Sequence, residues 1–145
     1  MTLNVNKDSR KIAFIVTSMG WGGLEMNVLK IAKSLTQFGY NITLITQERS
    51  PIHSKGKDLF YEVIILLKTR KYFEFGLAFQ ISKLLRNKGI KILMVFDNND
   101  LDVIAWAKYL FFKRLKVIYQ QQMQIGVKKR DFIHDFRFKT INYWI

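Results

Sequence analysis

The chain has 145 residues and no cysteine, and its 24 Lys and Arg against 11 Asp and Glu give a formal charge of +13. An apolar share of 49% is enough for one domain with a real core, which excludes a disordered tail, and the lack of cysteine excludes disulfides and thiol chemistry and suits a reducing cytoplasm. Met1 to Arg10 is polar without signal-peptide character, and no run approaches the ~20 apolar residues of a spanning helix.

In chain order, Ile12 to Val16 is a short β-branched and aromatic run that predicts a strand covered on both faces. Gly20, Gly22 and Gly23 follow as a sharp turn whose lack of side chains lets a ligand approach the main chain. Leu24, Val28, Leu29, Ile31, Ala32 and Leu35 keep helical spacing up to Phe38, and Gly39 stops the helix. Asn41 to Thr46 is a second strand, so these residues form one right-handed βαβ unit with its ligand edge at the carboxyl ends of the strands. Gln47 to Asp58, with Pro51 the only proline, reads as a polar, mobile loop over that edge. Tyr61 to Leu67 predicts a strand, Phe73 to Leu85 a helix closed by Asn87-Lys88-Gly89, and Ile90 to Phe96 a strand. Asp97-Asn98-Asn99-Asp100 caps a helix running to about Phe112, Leu115 to Tyr119 is a fifth strand, and a last helical pattern runs from Asp131 through Ile145 without a C-cap. Strand and helix alternate without a hairpin signal, which gives an α/β, doubly wound parallel sheet.

Several site chemistries meet these residues and two open readings remain. Glu25 stands where the third glycine of a dinucleotide fingerprint would fall, and no G-K-[ST] marks a nucleotide P-loop. The turn at Gly22 and Gly23 is either a tight connector or a phosphate-facing helix start. Asp97 to Asp100 has the spacing of neither a calcium loop nor a zinc site, and reads as a helix cap or as a hydrogen-bonding edge. His53 and His134 lack a partnering carboxylate and nucleophile in recognisable order, so no catalytic residue and no metal ligand is assigned.

The order KIAFIVTSMGWGGLEMNVLKIAKSLTQFGYNITLIT, Lys11 to Thr46, resembles the opening of family 4 glycosyltransferases of the GT-B fold, with their G-G-x-E turn and L-A-x-x-L-x-x-x-G-H-x-V-x-L-x-T pattern. Tyr40 stands where the family usually has His, and Gln120, Gln121 and Gln122 stand where it often carries a His facing the acceptor. The resemblance implies a Rossmann-like amino-terminal, acceptor-side domain over residues 1–145, truncated before the nucleotide-sugar-binding half. It implies retaining transfer of a sugar from a nucleotide-sugar donor to a glycan or lipid-linked glycan, of the cell-surface polysaccharide type, with no bound cofactor or metal. It places Gly22 and Gly23 in the cleft near the donor diphosphate and the acceptor, and Asp97, Asn98, Gln121 and Gln122 on the acceptor side. The other class of reading is a noncatalytic, membrane-attached or acceptor-binding domain.

Charge is the second signal. Lys68, Arg70, Lys71, Lys83, Arg86, Lys88 and Lys91 meet the single acid Glu74 and interleave with Tyr72, Phe73, Phe75 and Phe79. Lys108, Lys113, Arg114 and Lys116 mix likewise with Trp106, Tyr109, Phe111 and Phe112, which are either core or interface. Cations bordering rings suit an anionic bilayer, and Lys83, Arg86, Lys113 and Arg114 are the candidate contacts. No nucleic-acid-binding signature accompanies the charge. The family's acceptors then point to the inner face of the cytoplasmic membrane.

Overall fold

The computed structural model describes residues 10–66, 75–121 and 132–145. The elements are β1 (Lys11–Ile15), α1 (Gly23–Gln37), β2 (Asn41–Gln47), α2 (Pro51–Gly56), β3 (Glu62–Leu66), α3 (Phe75–Asn87), β4 (Ile92–Val95), α4 (Asn98–Trp106), β5 (Lys116–Tyr119), α5 (Phe132–Lys139) and β6 (Tyr143–Trp144). A 3₁₀ turn, Lys57–Leu59, follows α2, and a π-helical turn, Ala107–Phe111, continues α4. The strands form one parallel sheet in the order β3-β2-β1-β4-β5-β6. Chain direction across the sheet reverses between β1 and β4, so the crevice at their carboxyl ends is where such a sheet receives a ligand.

Alternation along the strands makes two cores. Ile12, Phe14 and Val16 face one side with Ile42, Leu44, Met94 and Phe96, and they are covered by Val28 and Ala32 of α1. Ala13 and Ile15 face the other with Ile45, Leu93, Val95 and Val117, under Ala78, Ile81 and Leu85 of α3 and Leu101 and Ile104 of α4. Phe14 anchors the first core, edge-on to Phe96 at 5.0 Å and to Phe60 at 6.4 Å. Helix α1 ends as its glycine dictates, because Gly39 takes φ +84 and its N–H reaches the Thr36 carbonyl.

Two expectations are corrected. The segment from Gln47 to Asp58 is no mobile loop. Pro51 begins α2 directly after Ser50, Ile52 and Gly56 are buried, and Ser50 Oγ donates to the Ser18 carbonyl at 2.8 Å. The last helix stops at Lys139, with Thr140 Oγ1 donating to the Arg137 carbonyl at 2.6 Å, and the chain then pairs as a sixth strand. Asn142 starts it: its N–H donates to the Val117 carbonyl at 2.9 Å, and its side-chain oxygen accepts the Val117 N–H at 2.9 Å and the Lys108 ammonium. Burial, then the charge of Lys116, lowers the Lys108 pKa. Leu67, Phe73 and Glu74, assigned by spacing to β3 and α3, lie outside the described residues, as does Asp131.

Candidate functional site

The carboxyl edge of β1 is held by side chains. Asp100, buried in the first turn of α4, accepts the Thr17 N–H at 3.1 Å and also the Thr17 hydroxyl, so the ends of β1 and β4 are tied across the crevice. Thr46 Oγ1 donates to the Val16 carbonyl at 2.7 Å, which fixes the same strand end from the other side. The chain then runs through Ser18 to Gly23, where α1 begins.

The turn is organised by Glu25. Glu25 is only 4% exposed, and its carboxylate accepts the Gly22 N–H at 2.8 Å and Ser18 Oγ at 2.5 Å, while Ser18 Oγ accepts the Gly20 N–H at 3.1 Å. Gly22 is the N-cap and Glu25 the third helical residue, so this is the carboxylate half of a capping box. No left-handed glycine makes the turn. Gly22 is extended at φ −162, Gly23 is already helical, and among the described glycines only Gly39 and Gly89 have positive φ. A Cβ at Gly23 would meet nothing within 4 Å, and one at Gly22 would meet only Glu25 Oε2 at 3.8 Å. What the missing side chains leave is therefore open main chain facing the crevice.

These contacts refine the expected phosphate site. The Gly22 amide is committed to Glu25, whereas the Gly23 amide has no partner among the described residues. A helix amino terminus carries roughly half a positive charge, and the full negative charge of Glu25 already sits on it. The turn thus offers close approach and the N–H groups of the helix's first turn, Gly23, Leu24 and Glu25, more than it offers positive charge.

Across the crevice, Asp97 is the N-cap of α4 and accepts the Asn99 N–H at 3.0 Å, which is the helix-cap reading. Asn98 accepts the Tyr119 hydroxyl at 2.7 Å. Burial, and then the Asp97 carboxylate, raise the Tyr119 pKa, so the phenol stays protonated and donating. Gln120 donates its N–H to the Val95 carbonyl, and its side-chain oxygen is buried without a partner among the described residues. The Gln121 N–H is taken by the Ile145 carbonyl at 3.0 Å, and Gln122 lies outside the described residues. Gly22 and Gly23 thus stand beside β1, and Asp97, Asn98 and Gln121 beside β4 and β5, on one edge of the sheet. The ties made by Thr17, Ser18 and Asp100 and the Tyr119–Asn98 bond were missed by sequence reasoning. The spacing of Gly22 and Glu25 as N-cap and third helical residue signals the carboxylate that holds the turn, but nothing local signals the ties of Asp100 and Asn98.

Lys83, Arg86, Lys113 and Arg114 are exposed, and the Arg86 guanidinium stands 5.9 Å from the centre of the Phe112 ring. Trp106 and Tyr109 are exposed, whereas Phe111 and Phe112 pack partly onto the core. Lys68, Arg70, Lys71 and Tyr72 lie outside the described residues, as does the His134 side chain, and His53 meets only the Glu48 carbonyl at 3.4 Å. No group of three or more metal-ligating side chains occurs among the described residues.

A six-stranded doubly wound sheet with an open glycine turn at its switch point defines a Rossmann-like domain with a ligand crevice. No protein-family model matches the chain. Over 90 residues, 62% of its length, it is 32% identical to the O-antigen biosynthesis glycosyltransferase WbnH of Escherichia coli, and it matches the probable O-antigen biosynthesis glycosyltransferase WbiN of the same organism equally. The matched stretch covers 26% of each relative. Among solved structures, a glycosyltransferase from Rickettsia africae superposes with a TM-score of 0.64 at 16% identity, over 82% of this chain and 31% of that one. HepE from Anabaena, solved with UDP and glucose, gives 0.61 at 17% identity, over 79% and 30%. MurG from Acinetobacter baumannii gives 0.70 at 12% identity, over 93% and 40%. Over part of its length the chain is thus similar in sequence to O-antigen glycosyltransferases, and it shares its Rossmann-like fold with part of each of these solved glycosyltransferase structures.

Proposed function

We propose that the protein is a retaining glycosyltransferase of cell-surface polysaccharide synthesis, carrying a sugar from a nucleotide-sugar donor to a glycan or lipid-linked glycan. In this reading residues 1–145 form the acceptor-side domain, and a second domain holds the nucleotide. The observation that carries it is the glycine turn, open to the crevice at the end of β1 in a chain whose sequence relatives are O-antigen glycosyltransferases. The UDP and glucose bound by the structural neighbour HepE support a nucleotide-sugar as donor.

Each part of the edge then has a task. The open backbone at Gly22 and Gly23 admits the donor diphosphate and the acceptor hydroxyl to van der Waals contact, and the Gly23 N–H donates to whichever oxygen lies there. Asp97 and Asn98, with Gln121 and Gln122, hydrogen-bond acceptor hydroxyls from the β4–β5 side. The bond between Asp100 and Thr17 holds the two lips at fixed spacing, so that positioning is built in before substrate arrives. No bound metal or cofactor is called for. The exposed cations keep the protein at the anionic inner face of the cytoplasmic membrane, where a lipid-linked acceptor lies.

The test is a screen of nucleotide-sugars against glycan and lipid-linked acceptors with the product of the complete reading frame, read by nucleoside diphosphate release and by the anomeric configuration of the product. Release that depends on acceptor, with the donor's configuration retained, is the expected result. Acceptor binding without release for any donor would favour a noncatalytic binding domain.

A further inference from the structure

The basic surface has an aromatic half that the charge pattern alone does not explain. Along the seam between α3 and the end of α4, Phe75 packs edge-on to Trp106 at 5.0 Å, and Phe79 to Phe111 at 5.3 Å. Trp106 also meets Phe136 of α5 at 4.7 Å, and Tyr109 meets it at 5.5 Å. Phe111 and Phe136 are half-buried beneath this seam, and its outer side chains are uncovered. Phe79 is 46% exposed, Tyr109 57% and Leu110 44%. The π-helical turn sets Tyr109 and Leu110, adjacent in sequence, both outward, where a polar surface would place at most one such side chain.

Cations continue this seam. Phe75, Phe79, Lys83 and Arg86 follow one another at helical spacing along α3, and Lys113 and Arg114 come directly after Phe112. No acidic residue occurs from Phe75 to Phe96 or from Val103 to Gln121. Phe, Trp, Tyr and Leu side chains edged by unopposed Lys and Arg match the chemistry of an anionic bilayer, whose headgroups take the cations and whose interface takes the amphipathic rings. No helix among the described residues is long and apolar enough to cross a membrane, so the contact is one of lying in the interface.

We propose that this face inserts: Phe79, Trp106, Tyr109 and Leu110 enter the boundary between headgroups and acyl chains, while Lys83, Arg86, Lys113 and Arg114 hold the anionic headgroups. The proposal rests on the membrane reading given above and adds a depth of contact that charge alone does not supply. Electrostatic adsorption fades over a Debye length of about 8 Å at physiological salt, whereas inserted apolar area persists when salt is raised.

The test uses the purified protein with vesicles of phosphatidylcholine, with and without phosphatidylglycerol, their acyl chains brominated close to the headgroup. Insertion predicts binding to the anionic vesicles, quenching of tryptophan emission by the bromines, and loss of that quenching in Trp106→Phe although Trp21 and Trp144 remain. Phe79→Ser with Leu110→Ser should weaken partitioning about tenfold from the apolar area withdrawn, and a fraction of wild-type binding should survive high salt. Lys83→Gln with Arg86→Gln should weaken it about fivefold per charge. All of these side chains are exposed, and unchanged thermal melts check that the variants fold. Binding to anionic vesicles without quenching of Trp106 would overturn insertion and leave the membrane reading standing, whereas no binding to them would overturn both. Concentration-dependent dimerisation abolished by Phe79→Ser with Leu110→Ser, without lipid binding, would assign the face to a second copy. Tighter binding to duplex nucleic acid than to anionic vesicles at matched salt would likewise overturn the proposal. Activity on a water-soluble acceptor, measured alongside, reports on the glycosyltransferase reading independently.

Discussion

Removing the Glu25 carboxylate should unpin the glycine turn. Glu25→Ala deletes an acceptor that holds the Gly22 N–H at 2.8 Å and Ser18 Oγ at 2.5 Å. Hydrogen bonds to a charged group contribute about 1.5–3 kcal/mol each, and the lower end applies because Gly20, Trp21 and Gly22 are exposed and water can replace the lost partner. The favourable charge at the helix amino terminus adds about 0.3–1 kcal/mol, some of it overlapping with those bonds. A loss of about 3 kcal/mol follows for alanine, or roughly 10 °C in melting temperature for a chain of this length. Glu25→Gln keeps the shape and one acceptor, but turns an amide toward one donor and gives up the charge, so it should lose about 1 kcal/mol. Circular dichroism followed through thermal and urea unfolding, at low and high salt, measures both. An alanine variant melting within about 2 °C of wild type would show that the turn holds its shape without the carboxylate. Equal losses from both variants would assign the effect to charge alone.

Three further outcomes follow from the same edge. Gly23→Val should leave the melting temperature nearly unchanged, since its Cβ points into open space on a helical backbone, while sugar transfer by the product of the complete reading frame falls at least a hundredfold; unchanged turnover would make the turn a mere connector. Asp100→Asn presents an amide to a buried bond with the Thr17 N–H and should cost about 2–3 kcal/mol in urea unfolding, so wild-type stability would refute the tie between β1 and β4. The pKa of Tyr119 is raised in the folded state, so the unfolded chain ionises first: its contribution is complete below about pH 10 and is lost as pH climbs through the folded value. The stability difference between wild type and Tyr119→Phe, followed by thermal melts from neutral pH upward, should therefore shrink only above about pH 10, and a flat difference would remove the shift.

The sheet was legible because its strands announce themselves. Ile12 to Val16, followed by the glycine turn, and Asn41 to Thr46, preceded by Gly39, are β-branched runs, and both stand within a residue of where the structure has them. Two misreadings share a cause: composition outweighed a local signal. Gln47 to Asp58 is polar, yet Ser50-Pro51 starts a helix and the single apolar Ile52 anchors it. The stretch Ile141-Asn142-Tyr143-Trp144-Ile145 continued a helical pattern on paper, although its β-branched and aromatic residues already favoured a strand. At the site, glycine positions pointed to the crevice but not to who occupies their amides. The use of the Gly22 N–H by Glu25 is local and was within reach of the capping spacing. The meeting of Asp100 with Thr17 spans 83 residues and depends on which strand lies next to β1, a fact that strand order alone reveals.

The junction at Asn142 acts as an index mark for the last strand. β6 pairs over two residues only, Tyr143 with Ile118 and Trp144 with Tyr119, too few to choose a register by themselves. A shift by one position would turn Trp144 to the opposite face, away from Tyr119 and Phe138, whose rings it meets at 5.3 and 5.2 Å. Asn142 removes that freedom by clamping Val117 with both its backbone and its side chain, and Lys108 fastens the clamp to the π-helical turn. Together with the two backbone bonds of Ile145 to Tyr119 and Gln121, this amide side chain resists slippage of the sheet margin and the exposure of an unpaired edge that could recruit a neighbouring chain.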